Sequence, residues 1–401
     1  MPELRPPKLP RPTVYLDQWV WIRLAKANGG DPLRPDDHHV LDAVREAAAK
    51  GVCFPLSKTH YEETGRIGSV AQRRDLVQVM APISQMQTFR GHGSLLRHQF
   101  LVALHETVGR PTFRPREPQV IGLGVHWAFA GVQAFIQLID PNGRVIRSAN
   151  GAWLRHLNQH AEAALLAGPA PDELPQLLER GYVMPQELER REGSRVDYEA
   201  WLVHALAEKP KDVSELRPLV MAREVWHEYS QLLGELFKEY RVSLETIAGG
   251  NTGKASRAKA VAFTEKVPTA RISAELKVEV FRNKTRRWSW NMLRDVDALS
   301  LAVPYCHLVV ADRDATALLR RTGADERHQT VVTASLDEVS ERLAELTASA
   351  TDTSTGWDRI GPDDGAYHME PPPAALEYDE ALMGATLRLV DESGRQVVYR
   401  G

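Results

Sequence analysis

The sequence predicts an α/β protein built on a parallel sheet. Strand-like and helix-like segments alternate over the first 65 residues, and the same alternation returns after residue 268. Parallel strands need helical crossovers between them, so this alternation favours a parallel sheet over a hairpin architecture. The composition, 43% hydrophobic and 26% charged, is typical of a soluble globular chain.

The N-terminal 65 residues contain two predicted strands, each followed by a predicted helix. Residues 13–17 (TVYLD) form a β-rich run between Pro12 and Asp17. Residues 38–51 carry apolar side chains at helical spacing and end at a glycine, which predicts a helix. Residues 52–57 (VCFPLS) predict the second strand, and Ser57 suits the N-cap of the helix that follows it.

The centre of the chain, residues 66–265, has a different pattern. Several segments there have apolar residues at helical spacing, and few read as strands, so we predict a helical insertion of about 200 residues. Within it, residues 249–260 (GGNTGKASRAKA) predict a flexible basic loop. A nucleotide-binding P-loop is excluded because Ala248 and Ala255 stand where that motif requires glycine and serine or threonine.

The alternation of helices and strands resumes at residue 268. We predict helices at 268–283, 295–305, 313–323 and 336–346, with strands at 307–312 and 329–335. A linker follows at 347–355, and DESG (391–394) between two alternating runs predicts a β-hairpin. The predicted organisation is a discontinuous core (1–65 plus 266–346), a helical insertion (66–265), and a linker with a small C-terminal β extension (347–401).

Charge, cysteine content and hydropathy exclude several classes of protein. A formal net charge of -3 gives no overall attraction to nucleic acid, so any such surface must be a local patch. Cys53 and Cys306 each lie in an apolar run, which predicts buried thiols and excludes a disulfide framework. No signal-peptide core begins the chain, and polar residues interrupt the most apolar stretch, 120–139. We therefore expect a cytoplasmic protein that does not enter a membrane.

Acidic residues recur where predicted strands end and predicted helices begin. The carboxyl ends of parallel strands share one edge of the sheet, which carries the binding crevice of such folds. Four separate segments are therefore expected to bring carboxylates to that edge. These acids are Asp17 after the first strand, Glu62 and Glu63 in the helix after the second, Asp295 and Asp297 opening the helix 295–305, and Asp312 with Asp314 after the strand 307–312.

Two interpretations of these acids stay open at this point. Clustered carboxylates repel one another unless a cation compensates them, and Mg²⁺ or Mn²⁺ prefers such oxygen ligands. One or two such ions can activate a water and stabilise the leaving oxygen of a phosphodiester. Acids in first helical turns also cap helices, at roughly 0.3–1 kcal/mol each. Each acid alone fits a cap, and the metal site depends on all four segments converging.

Three segments of the chain resemble the successive acidic motifs of PIN-domain nucleases, and in particular those of larger prokaryotic PIN-like proteins. They are VYLDQWVW, FPLSKTHYEETGRI and DVDALSLAVPYCHLVVADRDATALLRR. The resemblance covers roughly residues 12–65 and 268–346, and the order and strand context of the acids match. It implies a three-layer α/β/α core with a central parallel sheet and a metal-dependent ribonuclease activity. The large insertion departs from compact members of the family.

The resemblance also implies the roles of individual residues. Asp17, Glu63, Asp297 and Asp312 are the expected catalytic and metal-binding acids. Asp295 and Asp314 are further expected ligands, and Glu62 competes with Glu63. His60 lies one helical turn before Glu63 and is expected to orient that carboxylate, with Ser57 in a supporting position. An ordinary structural histidine and a helix cap are the alternatives for these two residues.

A basic and aromatic segment precedes the third acidic motif. In FRNKTRRWSW, residues 281–290, cations can hold phosphates while indoles stack on bases. The alternative is a solvated loop whose tryptophans anchor it in the core. The predicted nucleic-acid contacts are Arg282, Lys284, Arg286, Arg287, Trp288 and Trp290, with Lys254 and Arg257 from the basic loop.

The combined prediction is a metal-dependent endoribonuclease that uses one or two Mg²⁺ or Mn²⁺ ions and leaves 5′-phosphate and 3′-hydroxyl ends. Its expected partner is RNA, single-stranded or structured. The resemblance implies a role as a toxin, in phage defence or in RNA processing, and for a toxin an antitoxin or other protein partner. Two alternatives stay open: a non-catalytic nucleic-acid or protein-binding module, and a DNA-directed nuclease. The sequence leaves the oligomeric state open.

Overall fold

The computed structural model describes residues 6, 8–109, 116–146, 151–179, 185–205, 213–249, 254–283, 287–361, 367–372 and 385–397. The protein is α/β and rich in helix. It divides into two compact units. We call the first, which comprises Arg11–Gly91, Val120–Gln186 and Ser335–Gly401, the Asp17 unit. The second, which comprises Met1–Pro10, His92–Gln119 and Glu187–Ala334, is the Asp297 unit.

The Asp17 unit contains strands from three separate parts of the chain. Its strands are β1 (Val14–Leu16), β2 (Gln87–Phe89), β3 (Ile121–Leu123), β4 (Ala134–Ile139) and β7 (Thr386–Asp391). Its helices are α1 (Gln18–Asn28), α2 (Asp37–Ala49), α3 (Lys58–Arg66), α4 (Val70–Ser84), α6 (Gly124–Ala130), α7 (Gly151–Ala167), α8 (Leu174–Glu179) and α18 (Leu336–Ser349), with a 3₁₀ turn at Trp357–Arg359.

Parallel pairing in the Asp17 unit runs from β1 through residues 53–56 to β2. The Val14 N–H donates to the Cys53 carbonyl at 2.8 Å, and the Leu56 N–H donates to the Gln87 carbonyl at 2.8 Å. The predicted strand 52–57 is thereby reduced to isolated bridges at Cys53 and Leu56. Pro55, which has no N–H to donate, lies between them and interrupts the ladder.

Antiparallel pairs complete the strands of this unit. β2 pairs with β3, and β4 pairs with β7 over six residues from Ala134 opposite Asp391 to Ile139 opposite Thr386. The predicted turn at 391–394 forms, with the Gly394 N–H donating to the Asp391 carbonyl at 2.9 Å. Up to residue 397, its second arm bridges Val390 to Gln396, and the Val397 N–H donates to the Leu389 carbonyl at 3.1 Å.

The Asp297 unit is mostly helical. It holds α5 (His92–Thr107), α9 (Pro185–Ala205), α10 (Val213–Arg223), α11 (Ser230–Tyr240), α12 (Leu244–Ala248), α13 (Lys254–Thr264), α14 (Pro268–Arg282), α15 (Trp290–Ala302), α16 (Arg313–Thr322) and α17 (Ala324–His328). A π-helical turn at Glu224–Glu228 follows α10. Strands β5 (Leu308–Val310) and β6 (Val331–Thr333) pair in parallel, with Leu308 opposite Val331, and α16 and α17 connect them. The helices and strands predicted over 268–335 therefore form, except that the helix predicted to start at residue 295 begins at Trp290.

Two apolar clusters form the core of the Asp297 unit. Phe100 and Phe263 stack with ring centroids 5.9 Å apart in the first. Phe281 and Trp288 pack with ring centroids 5.3 Å apart in the second. The first contact holds α5 against α13, which is distant in sequence, and the second anchors the segment that joins α14 to α15.

Residues of the predicted insertion, 66–265, contribute to both compact units. Two features of its secondary structure differ from the sequence-based expectation. β2, β3 and β4 lie within it, although few strands were expected there. The predicted flexible loop at 249–260 is wrong from Lys254 onward, because α13 begins there. Alanine, lysine and arginine dominate its first turns, and all three favour helix.

The two cysteines are buried and free, as predicted. In the Asp17 unit, burial raises the pKa of the Cys53 thiol to about 12. Among the described helices, none combines the length and the apolar character needed to cross a membrane.

Candidate functional site

Asp17 lies at the carboxyl end of β1 and caps α1. Its backbone is extended, and its carboxylate accepts a hydrogen bond from the Gln18 N–H at 2.7 Å. The buried run that precedes it forms β1, and the next helix begins at once because an aspartate satisfies an otherwise unpaired N–H. The cap interpretation of Asp17 is therefore confirmed, and the same geometry leaves its carboxylate at a strand end, where ligands bind in α/β folds.

Two buried hydrogen bonds fasten α3 beside Asp17. The His60 Nε2–H donates to the carbonyl of Leu16 at 2.9 Å, and the Gln18 side-chain amide donates to Thr64 Oγ1 at 3.1 Å. Leu16 and Gln18 are the two chain neighbours of Asp17, while His60 and Thr64 bracket Glu63 within one helical turn. These bonds therefore place the α3 turn that carries Glu63 against the end of β1 that carries Asp17.

His60 is buried, and its hydrogen bonds define its tautomer. The Ser57 N–H donates to Nδ1 at 2.9 Å, so Nδ1 is the acceptor and Nε2 carries the proton. Burial lowers the pKa of His60 to about 4, although the bond to the Leu16 carbonyl opposes that shift. The imidazole is thus neutral near pH 7. Its described contacts orient α3 on β1, whereas the sequence-based expectation was that it orients the Glu63 carboxylate.

Ser57 occupies the N-cap of α3, as predicted. Its hydroxyl lies 3.1 Å from His60 Nδ1 and 3.4 Å from the Tyr15 hydroxyl, so it joins β1 and α3. On the same helix, Glu62 forms an ion pair with Lys58 at 3.2 Å.

The predicted acids of the Asp297 unit occupy two places. Asp295 and Asp297 lie in the middle of α15, because that helix begins at Trp290; the prediction that they open a helix is wrong. Ser289 supplies the N-cap instead, accepting from the Met292 N–H at 3.3 Å. Asp312 follows β5 and caps α16 by accepting from the Ala315 N–H at 2.6 Å, with Asp314 in the first turn, as predicted.

Asp297 forms a bidentate ion pair with Arg195, a residue of α9. The two guanidinium nitrogens lie 3.0 and 3.2 Å from its carboxylate oxygens. Burial acts to raise the pKa of Asp297, but the Arg195 guanidinium outweighs it and holds that pKa at about 2. Asp297 is therefore ionised and compensated by a protein cation.

Sequence reasoning missed a buried charge network that continues from this pair. Lys277 Nζ lies 2.9 Å from Glu224 and 3.3 Å from Glu199, and all three side chains are at most 1% exposed. Burial lowers the pKa of Lys277, yet the glutamates around it, led by Glu224, raise it above its usual range. The π-helical turn presents Glu224 to this network, and π-turns recur at functional positions.

Arginines complete the network. Arg223 pairs with Glu199 at 2.7 Å and with Glu224 at 2.9 Å, and Arg195 pairs with Glu228 at 2.8 Å. A signal for this network was present in the sequence: Lys277 lies on the buried stripe of α14 with Ala270, Ala274 and Phe281. A lysine on an apolar stripe requires buried carboxylates, but their positions in the chain could not be read from it.

The predicted nucleic-acid residues have different surroundings. Trp288 is buried against Phe281, which favours the core-anchor interpretation for that residue. Trp290 is partly buried, with the Arg294 guanidinium 5.7 Å from its ring. Arg282, Arg287 and Arg257 are exposed. Lys284 and Arg286 lie outside the described residues, as does the side chain of Lys254, the first residue of α13.

A second buried carboxylate of the Asp17 unit, Glu162 on α7, was not singled out by its sequence context. Its Oε2 accepts from the Val125 N–H at 2.8 Å. Burial raises its pKa to about 7, while that hydrogen bond opposes the shift. The folded protein therefore binds a proton at Glu162 more tightly than the unfolded chain between about pH 4.5 and 7.

Stability is consequently expected to fall as pH rises through that range, and Glu162→Gln is expected to remove this contribution. Glutamine keeps an acceptor for the Val125 N–H without a charge. We expect the variant to exceed the wild type by about 1–3 kcal/mol at pH 8 and to match it at about pH 4, measured by urea unfolding. Glu345→Gln, which removes an exposed charge from the same unit, is the control. An equal difference at both pH values would contradict this assignment.

Asp17 and Glu63 lie on the two segments that the buried hydrogen bonds of His60 and Gln18 join, and each carries a carboxylate. Carboxylate oxygens suit Mg²⁺ or Mn²⁺, and Mg²⁺ is commonly held by one or two carboxylates with water and substrate phosphates supplying the rest. Within the described part of the chain, no group of three or more His, Cys, Asp or Glu residues is arranged to hold a metal ion.

Comparisons with protein-family models, with curated proteins and with solved structures found no match to this chain. The interpretation of the site therefore depends on its own geometry and on the residue pattern.

Proposed function

We propose that the protein is a metal-dependent endoribonuclease whose Mg²⁺ or Mn²⁺ site is built on Asp17 and Glu63, within a PIN-like three-layer α/β/α fold. The observation that carries the proposal is the pair of buried hydrogen bonds, His60 to Leu16 and Gln18 to Thr64, that bring the two acid-bearing segments together. The resemblance also implies metal-binding roles for Asp297 and Asp312, and the cleavage rate of Asp297→Ala and of Asp312→Ala tests each role separately.

In this proposal, the carboxylates compensate the charge of a divalent ion and position it. A bound divalent ion supplies Lewis acidity toward a phosphodiester and lowers the pKa of water. Asp17, at the end of β1, would supply one carboxylate to a bound ion. Glu63 would supply the second from α3, the helix that neutral His60 fastens to the sheet. His60 has no protonic role at neutral pH, because its imidazole is buried and both ring nitrogens are engaged.

One observation favours the non-catalytic alternative. Arg195 already occupies both oxygens of Asp297, so one of the four predicted acids is compensated by a protein cation. In a binding module on the same scaffold, Asp17 would act as a cap alone and binding would need no metal.

Cleavage of end-labelled RNA distinguishes these functions. We expect single-stranded or structured RNA to be cut in Mn²⁺, to stay intact in EDTA, and to yield 5′-phosphate ends. DNA of the same sequence is the comparison: metal-dependent cleavage of DNA alone would establish the DNA-directed alternative. RNA binding that persists in EDTA, with no turnover in Mn²⁺ or Mg²⁺, would contradict the nuclease proposal and favour the binding module.

A further inference from the structure

The Asp297 unit contains a groove of about 450 Å³ that is lined mainly by arginine and glutamate. Its cationic residues come from four helices: α10, α14, α16 and α17. A volume of this size is in the range of small-molecule sites. The arginines that line it are Arg217, Arg271, Arg282, Arg321 and Arg327.

One wall of the groove is a face of α14. Arg271, Glu275, Glu279 and Arg282 follow one another at spacings of four, four and three residues, so they align along the helix. Arg321 closes the other side from the last turn of α16, where a cation also suits the helix dipole. The groove therefore follows from helical spacing within α14 and from the packing of α16 against it.

The cations in this groove outnumber its carboxylates. Glu275, whose side chain is 6% exposed, receives Arg327 at 2.8 Å, Arg217 at 3.0 Å and Arg271 at 3.1 Å. Glu279 pairs with Arg282 at 2.8 Å and with Arg321 at 3.3 Å. Glu265, which pairs with Arg217 at 2.8 Å, is a third carboxylate beside the five guanidinium groups, counted over the described residues. The groove keeps an excess of positive charge.

The surplus guanidinium groups define the ligand chemistry. Arginine presents a planar fork of donors that matches two oxygens of a phosphate, and it is always charged. Among the described residues that line the groove, the apolar one is Val278 and none is aromatic. Such a lining recognises oxyanions and offers little to a base or a lipid tail.

We propose that this groove binds the phosphate groups of a polyphosphorylated small molecule, either inorganic polyphosphate or the phosphate tail of a nucleotide. The proposal does not depend on the proposed metal site, since none of the predicted metal-binding acids lines the groove. Bound phosphates would take the positions between Arg282 and Arg321, where the excess charge is most accessible to solvent: these side chains are 42% and 53% exposed.

Isothermal titration with inorganic tripolyphosphate and with ATP, in EDTA and at low salt, tests the proposal. Arg282→Gln and Arg321→Gln are each expected to weaken tripolyphosphate binding about tenfold, because each removes charged hydrogen bonds. Both arginines are exposed, so the variants are expected to keep the wild-type circular dichroism and unfolding curve. Arg342→Gln is the matched control: Arg342 is also 42% exposed, also pairs with a glutamate three residues away, and lies outside the groove.

Glu279→Gln provides a gain-of-affinity test. It removes the carboxylate that competes for Arg282 and Arg321, so tripolyphosphate is expected to bind about 3- to 10-fold more tightly. A purely structural role for these ion pairs predicts no such gain. Equal affinities for tripolyphosphate and ATP would indicate recognition of phosphate alone, and tighter binding of ATP would indicate a nucleotide.

Three results would overturn the proposal. The first is the absence of binding of both probes to the wild type at low salt. The second is unchanged affinity in Arg282→Gln and Arg321→Gln. The third is binding of a single-stranded RNA, lost in the same two variants, without binding of either small probe; this would assign the groove to a nucleic-acid backbone instead.

Discussion

Asp17→Asn is expected to lower metal-dependent RNA cleavage by on the order of 100-fold or more, since a lost ligand removes several kcal/mol of charge stabilisation from the transition state. Asparagine caps a helix as well as aspartate does, so α1 and the fold are expected to persist. Initial rates on end-labelled RNA in Mn²⁺, with circular dichroism of each variant, measure this. Glu63→Gln is expected to have a similar effect.

Two other acids of the Asp17 unit provide matched controls for these variants. Asp36→Asn changes an aspartate that also stands at an N-cap position, that of α2. Glu62→Gln changes the residue adjacent to Glu63. The Glu62 carboxylate is paired with Lys58. Both are expected to cut RNA at rates near that of the wild type. Full metal-dependent activity in Asp17→Asn and Glu63→Gln would contradict the assigned site.

Lys277→Met is expected to destabilise the folded protein by about 3–5 kcal/mol. The substitution leaves Glu224 and Glu199 buried with one of their two cations removed, and an uncompensated buried charge is costly. Urea unfolding monitored by circular dichroism measures the loss. The double variant Lys277→Met/Glu224→Gln is expected to recover part of it, since it removes one buried charge of each sign.

Lys266→Met is the control for this prediction. Lys266 belongs to the same unit, but its side chain is 27% exposed and its contact with Glu106 is 3.9 Å long. Its replacement is expected to cost less than about 1 kcal/mol. If Lys277→Met were no more destabilising than Lys266→Met, the buried network would have no structural role at neutral pH.

Local patterns predicted the elements that carry the candidate site. β1 ends at Asp17 because an apolar run meets a capping residue, and α3 starts after Ser57 for the same reason. The parallel pair of β5 and β6, joined by α16 and α17, follows from the alternation of short apolar runs with amphipathic segments. These features depend on neighbouring residues, so one sequence is enough to predict them.

Features that depend on distant parts of the chain could not be predicted from the sequence. Arg195 compensates Asp297 across 102 residues, and no local pattern indicates that pairing. β2 and β3 have three residues each, too few for an alternating pattern to stand out. α15 begins at Trp290 because Ser289 caps it. The sequence-based prediction placed this boundary at residue 295 because it took Asp295 and Asp297 as first-turn acids. The groove arginines come from four helices, and their convergence is a property of packing.

Direct binding of Mn²⁺ tests the central claim most closely, because it requires no knowledge of the RNA substrate. Electron paramagnetic resonance titration of the full chain should show that the wild type binds Mn²⁺ and that Asp17→Asn/Glu63→Gln weakens that binding at least tenfold. Asp36→Asn/Glu62→Gln, which removes the same number of charges, should bind as the wild type does. Equal Mn²⁺ affinity in the wild type and in Asp17→Asn/Glu63→Gln would contradict a metal site at the end of β1.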